Sequence, residues 1–362
     1  MTNEIHQESL FYLAWSWFYK IGPGKADQLI KNFGSLKNAW SGQTSDFIKL
    51  GWEQKLITAF ATYRQATDPK ALKDKLTKLN INFCSAVDTF YPKSLKQISS
   101  PPLGFYYQGN PAILNQPCLA IVGSRRPTAY GQRVTDELAM AAGKAGLTII
   151  SGLAYGVDAI GHLTCLKSGS PAAAVLAGGL NNIYPQINYQ LAQKILKAGG
   201  LLLSEYPPST PYLKQHFPLR NRLIAALSQA VLITEATLDS GSLITARLAL
   251  DYNKEVAAVP GSIYSPLSQG CLELIKQGAK TISEASDLLE IFNLKIDDTK
   301  PVVSLTAEEK NFLNSLPLQG LSLKQIMEFT NQTAAASLAQ LTVLELKGYI
   351  KSLDNENFSR LH

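Results

Sequence analysis

Cysteine is scarce and scattered in this chain. Its 362 residues hold only Cys84, Cys118, Cys165 and Cys271, with no C-x-x-C pair. Neither a zinc site nor a redox motif is indicated, and free, buried thiols are expected. Histidine is equally rare, at four, and no His or Asp cluster joins the carboxylates to complete a metal site. No metal and no cofactor is expected. No apolar run approaches the roughly eighteen residues of a membrane span. The opening "MTNEIHQESL" lacks the basic-then-apolar pattern of a signal peptide, so a cytoplasmic location with no membrane partner is expected. Internal repeats and low-complexity tracts are absent. So are two phosphate-binding signatures: neither G-x-G-x-x-G nor G-x-x-x-x-G-K-[ST] occurs, which counts against a dinucleotide or a nucleoside triphosphate.

What remains is an ordinary globular composition, 46% hydrophobic and 17% charged, in a chain too long for a single core. The net charge of +6 is unevenly spread: residues 1–115 carry 13 basic and 8 acidic groups, residues 116–294 carry 14 and 12, and residues 301–362 carry 5 and 6. This balance permits a polyanion partner without demanding one.

Periodicity divides the chain. Residues 7–79 show helical spacing in "SLFYLAWSWFYK", "GKADQLIKNFG", "SLKNAW" and "WEQKLITAFATYRQA", which predicts an all-helical domain over residues 1–80. Within it "KIGPGKADQLIKNFGS" has two readings. It is either the turn of a helix-hairpin-helix module that meets a DNA phosphate, or a helix started by Pro23 and Gly24. Two short β-type runs and a Pro-rich turn follow. From Cys118 onward apolar runs alternate with helices: "CLAIVG", "LTIIS", "AAAVLA", "LLLSE", "AVLITE" and "EVAAVP" read as strands. The helices between and after them fall near residues 131–145, 157–167, 186–198, 218–228, 240–252 and 268–276. This alternation predicts an α/β domain over residues 81–294, a Rossmann-like doubly wound parallel sheet covered on both faces. "NLKIDDTKPVVS" has linker composition, placing a linker at residues 295–304. Residues 305–362 fit three helices and a terminal β-hairpin, the order of a winged helix.

In such a sheet ligands lie beyond the carboxyl ends of the strands. The first run ends in Gly123-Ser124-Arg125-Arg126, where glycine admits close backbone approach and arginine offers a fork matched to phosphate oxygens. The second ends in "SGLAYGVDAIGH": Gly152 and Gly156 free the backbone, and helix amides supply a second anion seat. Asp158 reads as the cap of that helix, and His162 either as a packed residue or as a catalyst. In "LKQHFPLRNRLIAALSQA", Lys214, His216, Arg220 and Arg222 surround a lone aromatic, Phe217, at a helix start. Bases stack on such a ring while the cations meet phosphates. Alone, the segment reads as a core anchor with solvated arginines; beside the first loop, it reads as part of a binding site. "TEATLDSGSLITARLAL" puts Glu235 at a strand end and Ser240-Gly241-Ser242 at a helix start, again an anion-binding arrangement. Glu205 also ends a strand. Glu235 reads as a loop-fixing residue, with an acid/base role left open.

At "GSRRPT", "SGLAYGVDAIGH", "FPLRNRLIAALS", "EATLDSGSLITA" and "VPG", in order over residues 123–261 with "YPKSLKQISSPPLGFYYQGN" upstream, the chain resembles the DNA-processing protein A (DprA/Smf) family. These are single-strand-binding recombination mediators of bacterial natural transformation. The resemblance implies a sterile-alpha-motif-like (SAM) helical domain, the Rossmann domain, and the C-terminal winged helix found in some members. It implies that Arg125 and Lys214 hold the DNA backbone, that Phe217 stacks a base, and that Gly123, Ser124, Ser151, Gly152, Arg220 and Asn221 line the same pocket. With Arg126, Gly156, His216, Arg222, Gly241 and Ser242 these form the expected DNA-binding set. Similarity to the family further implies a homodimer through the Rossmann domain, protection of incoming single strands, loading of the RecA recombinase, and no catalysis.

Two alternatives stand beside it. One is a Rossmann-like nucleotide phosphoribohydrolase using Glu235, although the chain lacks the P-G-G-x-G-T loop those enzymes share. The other is a duplex-DNA regulator acting through the winged helix. Residues 329–346 contain no Lys or Arg, so the third helix is unsuited to B-form DNA and a protein-contact or structural role is expected for this domain.

Overall fold

The computed structural model describes residues 2–18, 20–294, 305–317, 320–347, 349–352 and 357–360. The linker expected at residues 295–304 lies outside the described residues. The chain forms two compact units, Met1–Ile296 and Asp297–His362.

The first unit opens with six helices: α1 (Thr2–Trp17), α2 (Pro23–Phe33), α3 (Leu36–Trp40), α4 (Thr44–Lys49), α5 (Gln54–Gln65) and α6 (Pro69–Lys78). Helices α4 and α6 go beyond the four periodic stretches; they are set by end signals, a Gln43/Asp46 capping box and the Asp68-Pro69 start. Helix α2 begins at Pro23 after Gly22 and ends at Gly34 in the left-handed region, φ +77°, the Pro-first, Gly-last asymmetry of helix termini. Trp15 stacks on Phe60 at 4.3 Å and donates its indole N–H to the Leu36 carbonyl at 3.0 Å. The helices also share a core with the sheet. Leu13 and Leu76 pack in one cluster with Tyr106 and Leu119, and the Ser16 and Tyr106 hydroxyls meet at 2.7 Å.

The sheet has nine strands: β1 (Asn82–Ser85), β2 (Gly104–Gly109), β3 (Cys118–Val122), β4 (Thr148–Ser151), β5 (Ala172–Leu176), β6 (Leu201–Ser204), β7 (Ala230–Ile233), β8 (Glu255–Ala258) and β9 (Lys280–Thr281). Their order is β1-β2-β6-β5-β4-β3-β7-β8-β9. All six expected strands are present and pair in parallel, for example Leu119 with Ile149 and Ala120 with Val231. The sheet as a whole is mixed rather than parallel. The two β-type runs before Cys118 extend it as β2, antiparallel to β6, and β1, antiparallel to β2. Helix α7 (Lys93–Lys96) lies between them in sequence. Helices α8 (Ala129–Lys144), α9 (Val157–Lys167), α10 (Tyr189–Lys197), α11 (His216–Leu227), α12 (Gly241–Asp251) and α13 (Gln269–Lys276) follow β3 to β8 in turn, and α14 (Ala285–Glu290) closes the unit. Two separate apolar clusters cover the strands, one holding Leu119 and Ile149, the other Ala120 and Ile150. Alternate residues of each strand therefore point to opposite faces, both buried.

The chain lays β3 to β6 outward in one direction and returns to place β7 on the other side of β3. The loops after β3 and β7 thus diverge at a topological switch point, where open α/β sheets bind ligands.

The second unit contains α15 (Ala307–Ser315), β10 (Leu321–Ser322), α16 (Leu323–Thr330), α17 (Ala334–Leu346), β11 (Ile350–Ser352) and β12 (Asn357–Arg360). The expected three helices and hairpin are joined by a further two-residue strand, giving an antiparallel sheet β10-β12-β11. Phe312, Leu313, Ile326, Leu341, Leu344 and Ile350 form its core. Among the described residues, no helix of either unit is long and apolar enough to cross a membrane.

Candidate nucleic-acid interface

The loop after β3 is built to be held from both sides. The Ser124 amide donates to the Glu235 carbonyl at 2.7 Å, and the Val157 amide donates to the Ser124 carbonyl at 3.1 Å. Thr128 caps α8 by accepting from the Gly131 amide at 3.1 Å. Its own amide and hydroxyl donate to the Glu235 carboxylate at 2.8 and 2.6 Å. Glu235 is 2% exposed, so this carboxylate ties the β7 end to the β3 loop and is spent as an acceptor there. The loop-fixing reading of Glu235 describes this geometry. Asp158 differs from expectation: α9 is entered through Gly156, at φ +71°, and Asp158 does not cap it. Its carboxylate accepts instead from the Gly152 and Ala154 amides at 3.0 and 3.2 Å, folding the preceding loop back onto the helix. Burial pushes this carboxyl upward, with nearby Arg220 opposing.

A cleft of about 220 Å³ opens at the switch point, between the β3 loop and the heads of α11 and α12. Gly123, Arg125, Phe217, Arg220, Asn221, Gly241 and Ser242 of the expected set line it. Arg125 is exposed, with its guanidinium carbon 5.6 Å from the Phe217 ring centroid; that of Arg220 stands 5.9 Å from the same ring. Arg220 is 5% exposed. Its Nη1 donates to the carbonyls of Gly152, at 2.8 Å, and Val175, and its Nε to Asn221 Oδ1 at 3.2 Å. Gly152 permits this approach, since a Cβ there would stand 2.5 Å from the guanidinium. The arginine is fixed by two strand ends and carries its charge under the aromatic ring. On the opposite wall Ser240 caps α12 and accepts from the Ser242 amide at 3.3 Å.

Other members of the expected set stand outside the cleft lining. The Ser151 hydroxyl donates to the Ile121 carbonyl at 2.6 Å, and Ser124 Oγ accepts from the Arg126 amide at 3.1 Å. These two hydroxyls hold the loops. Arg126 itself is exposed, and Gly156 packs against the Ser124 carbonyl. Lys214 is exposed one turn ahead of Phe217, whose amide donates to the Lys214 carbonyl at 3.4 Å. His216 stacks on Tyr206 at 4.1 Å, with Nδ1 3.2 Å from the Ala177 carbonyl. Arg222 does not surround Phe217: its Nη2 donates to both Glu205 oxygens at 2.6 and 2.7 Å, in the interior. That pair also accounts for the strand-end Glu205. His162 is fully buried, and neither ring nitrogen has a partner. Burial, aided by the Arg220 charge, holds its pKa down to about 3, so it packs as a neutral ring.

Phe217 is not a lone aromatic. Tyr184, from the loop after β5, meets it edge-on at 5.9 Å, and Tyr212 lies 6.3 Å away. Reading the residues past β5 as closely as those past β3 and β4 would have found Tyr184. All four cysteines are free and buried. Among the described residues no cluster of three or more His, Cys, Asp or Glu could hold a metal ion.

The profile of the family DNA recombination-mediator protein A matches residues 82–293. Protein Smf of Synechocystis is 38% identical over 289 residues, 78% of this chain and 72% of the relative. The X-ray structure of DNA processing protein A from Streptococcus pneumoniae superposes with a TM-score of 0.62 at 35% identity, covering 69% of this chain and 86% of that one. The Helicobacter pylori protein, whose structure describes its own single-stranded DNA binding mode, superposes with a TM-score of 0.54 at 34% identity, covering 59% and 95%. With the matched region spanning the whole Rossmann-like sheet and the cleft at its switch point, the chain belongs to the DNA recombination-mediator protein A family, the DprA/Smf proteins.

Proposed function

We propose that this protein binds single-stranded DNA in the cleft at the switch point and holds it without hydrolysis. The observation that carries the reading is the packing of Arg125 and Arg220 on Phe217 in one cleft. An aromatic face flanked by one buried, fixed cation and one exposed cation suits a strand whose bases are unpaired and whose phosphates are close by. Lys214 adds a further exposed cation at the head of α11. The single-strand binding of the Helicobacter pylori relative supports the same reading. In this proposal the bound strand is protected and passed to RecA during natural transformation, by a homodimer formed through the Rossmann domain in the cytoplasm. Residues 305–362 act as a winged helix that contacts protein or stabilises structure, since α17 carries no Lys or Arg. The hydrolase alternative needs a free Glu235, and this carboxylate is engaged by Thr128.

The test is fluorescence anisotropy of a labelled oligothymidine over a salt series, with wild type, Lys214→Ala, Phe217→Ala and a duplex of equal length. Salt-dependent binding of the single strand that weakens in both variants is expected, the Phe217 change costing about 1–3 kcal/mol. Equal affinity for the duplex, or none for the single strand, overturns the reading.

A further inference from the structure

The aromatic surface continues beyond the cleft. Tyr184 and Tyr212 do not line it, yet their rings lie 5.3 Å apart and both reach Phe217, at 5.9 and 6.3 Å. Tyr184 leaves 45% of its surface to solvent, which a ring serving only to wedge Phe217 would not require. The loops that carry the two tyrosines are pinned to each other. Asn181 Nδ2 donates to Ser209 Oγ at 3.0 Å, the Ser209 amide returns a bond to Asn181 Oδ1 at 2.6 Å, and the Gly179 amide donates to the Thr210 carbonyl at 2.9 Å. Gly178 lies against the Tyr212 ring, where a Cβ would stand 2.8 Å away. The pair is therefore preorganised, so an incoming base would order no loose side chain. Lys214 follows Tyr212 by two residues and is exposed.

We propose that Tyr184 is a second base-stacking station, one step beyond Phe217 on the same strand, backed by Tyr212. This rests on the reading of the cleft as a single-strand site. The Tyr184 ring is set at 70° to Phe217, so the two stations cannot belong to one continuous stack and the strand turns between them. Successive bases on successive aromatic side chains are the usual arrangement in sequence-tolerant single-strand binding.

The experiment compares wild type, Tyr184→Ala, Tyr184→Phe, Phe217→Ala and the double alanine variant. The probes are a labelled oligothymidine of about 12 nucleotides, within the span of known single-strand sites, and an abasic strand of the same length. Tyr184→Ala is expected to weaken oligothymidine binding about 5- to 160-fold, the effect of removing one stacking ring. Tyr184→Phe keeps wild-type affinity, and the abasic strand binds wild type and Tyr184→Ala alike. The double variant loses more than Phe217→Ala alone. A double variant no weaker than Phe217→Ala would mean that Tyr184 acts only by holding Phe217, and an unchanged Tyr184→Ala affinity would remove the station outright. Either result leaves the cleft reading intact, whereas failure of wild type to bind oligothymidine sinks both.

Discussion

The guanidinium of Arg125 stands 5.6 Å from the ring of Phe217, joining the loop after β3 to the first turn of α11. Among the described residues Arg125 donates no hydrogen bond to the protein, and it is exposed. Arg125→Ala is therefore expected to leave the melting temperature unchanged while weakening single-strand binding. If the guanidinium meets one phosphate, the slope of log affinity against log salt falls in magnitude by about 0.7. Anisotropy at four or more salt concentrations reads this slope, and an unchanged slope would exclude a phosphate contact.

Glu235 serves the fold of the same loop. Replacing it with Ala leaves the Thr128 amide and hydroxyl without their acceptor, at a cost of about 1–3 kcal/mol. Glu235→Gln keeps one carbonyl oxygen and loses the charge-assisted bonds, so it should cost less, about 1 kcal/mol. Urea unfolding measures both. A hydrolytic role predicts the reverse pattern, with stability kept and an activity lost; release of free base from nucleoside monophosphates by wild type, abolished in Glu235→Gln, would establish it.

The buried pair Arg222 and Glu205 separates stability from binding. Its side chains are only 10% and 21% exposed. Removing one partner, as in Glu205→Leu, leaves an uncompensated charge in the interior and is expected to cost about 3–5 kcal/mol. The double variant Glu205→Leu with Arg222→Met should be less destabilised than the sum of the singles. Any variant that remains folded keeps wild-type affinity for oligothymidine, because neither side chain lines the cleft. Loss of binding in the folded double variant would return Arg222 to the site.

Much of this arrangement was legible in the chain. Strands β3 to β8 are apolar runs interrupted only at their ends, by Thr148, Ser151, Ser204 and Glu255, the mark of a sheet buried on both faces, and each ends where a loop at the carboxyl edge begins. Edge strands lack that signal. The two residues of β9 have no pattern of their own, and nothing in "FYYQG" tells that β2 runs antiparallel to β6. Of the residues lining the cleft, Arg125 follows from the strand-end rule, and Phe217, Gly241 and Ser242 from the helix starts after β6 and β7. Arg222 does not belong with them, for a reason available from sequence: two residues beyond Arg220 on a helix, it faces another side. Its partner Glu205 and the neighbour Tyr212 lie earlier in the same β6–α11 connection, outside any helical spacing with Arg222 and Phe217, and Tyr184 comes from the loop after β5, where the strand-end rule does point.

His162 couples stability to pH. Its pKa is held down to about 3 by burial, against an ordinary value near 6.5 in the unfolded chain. Between those values the unfolded state binds a proton that the folded state refuses, so this residue's contribution to stability is complete above about pH 6.5 and is lost as pH falls toward 3. Well inside that window the loss is about 1.4 kcal/mol per pH unit. Both ring nitrogens are buried without partners, so His162→Leu removes two unsatisfied polar atoms at similar volume. It is expected to be neutral or stabilising at pH 7.5, and to flatten the decline in stability on acidification to pH 5. Urea unfolding of both proteins at several pH values reads the difference. Parallel declines would assign the acid sensitivity to other groups and imply that the imidazole gains a partner when protonated.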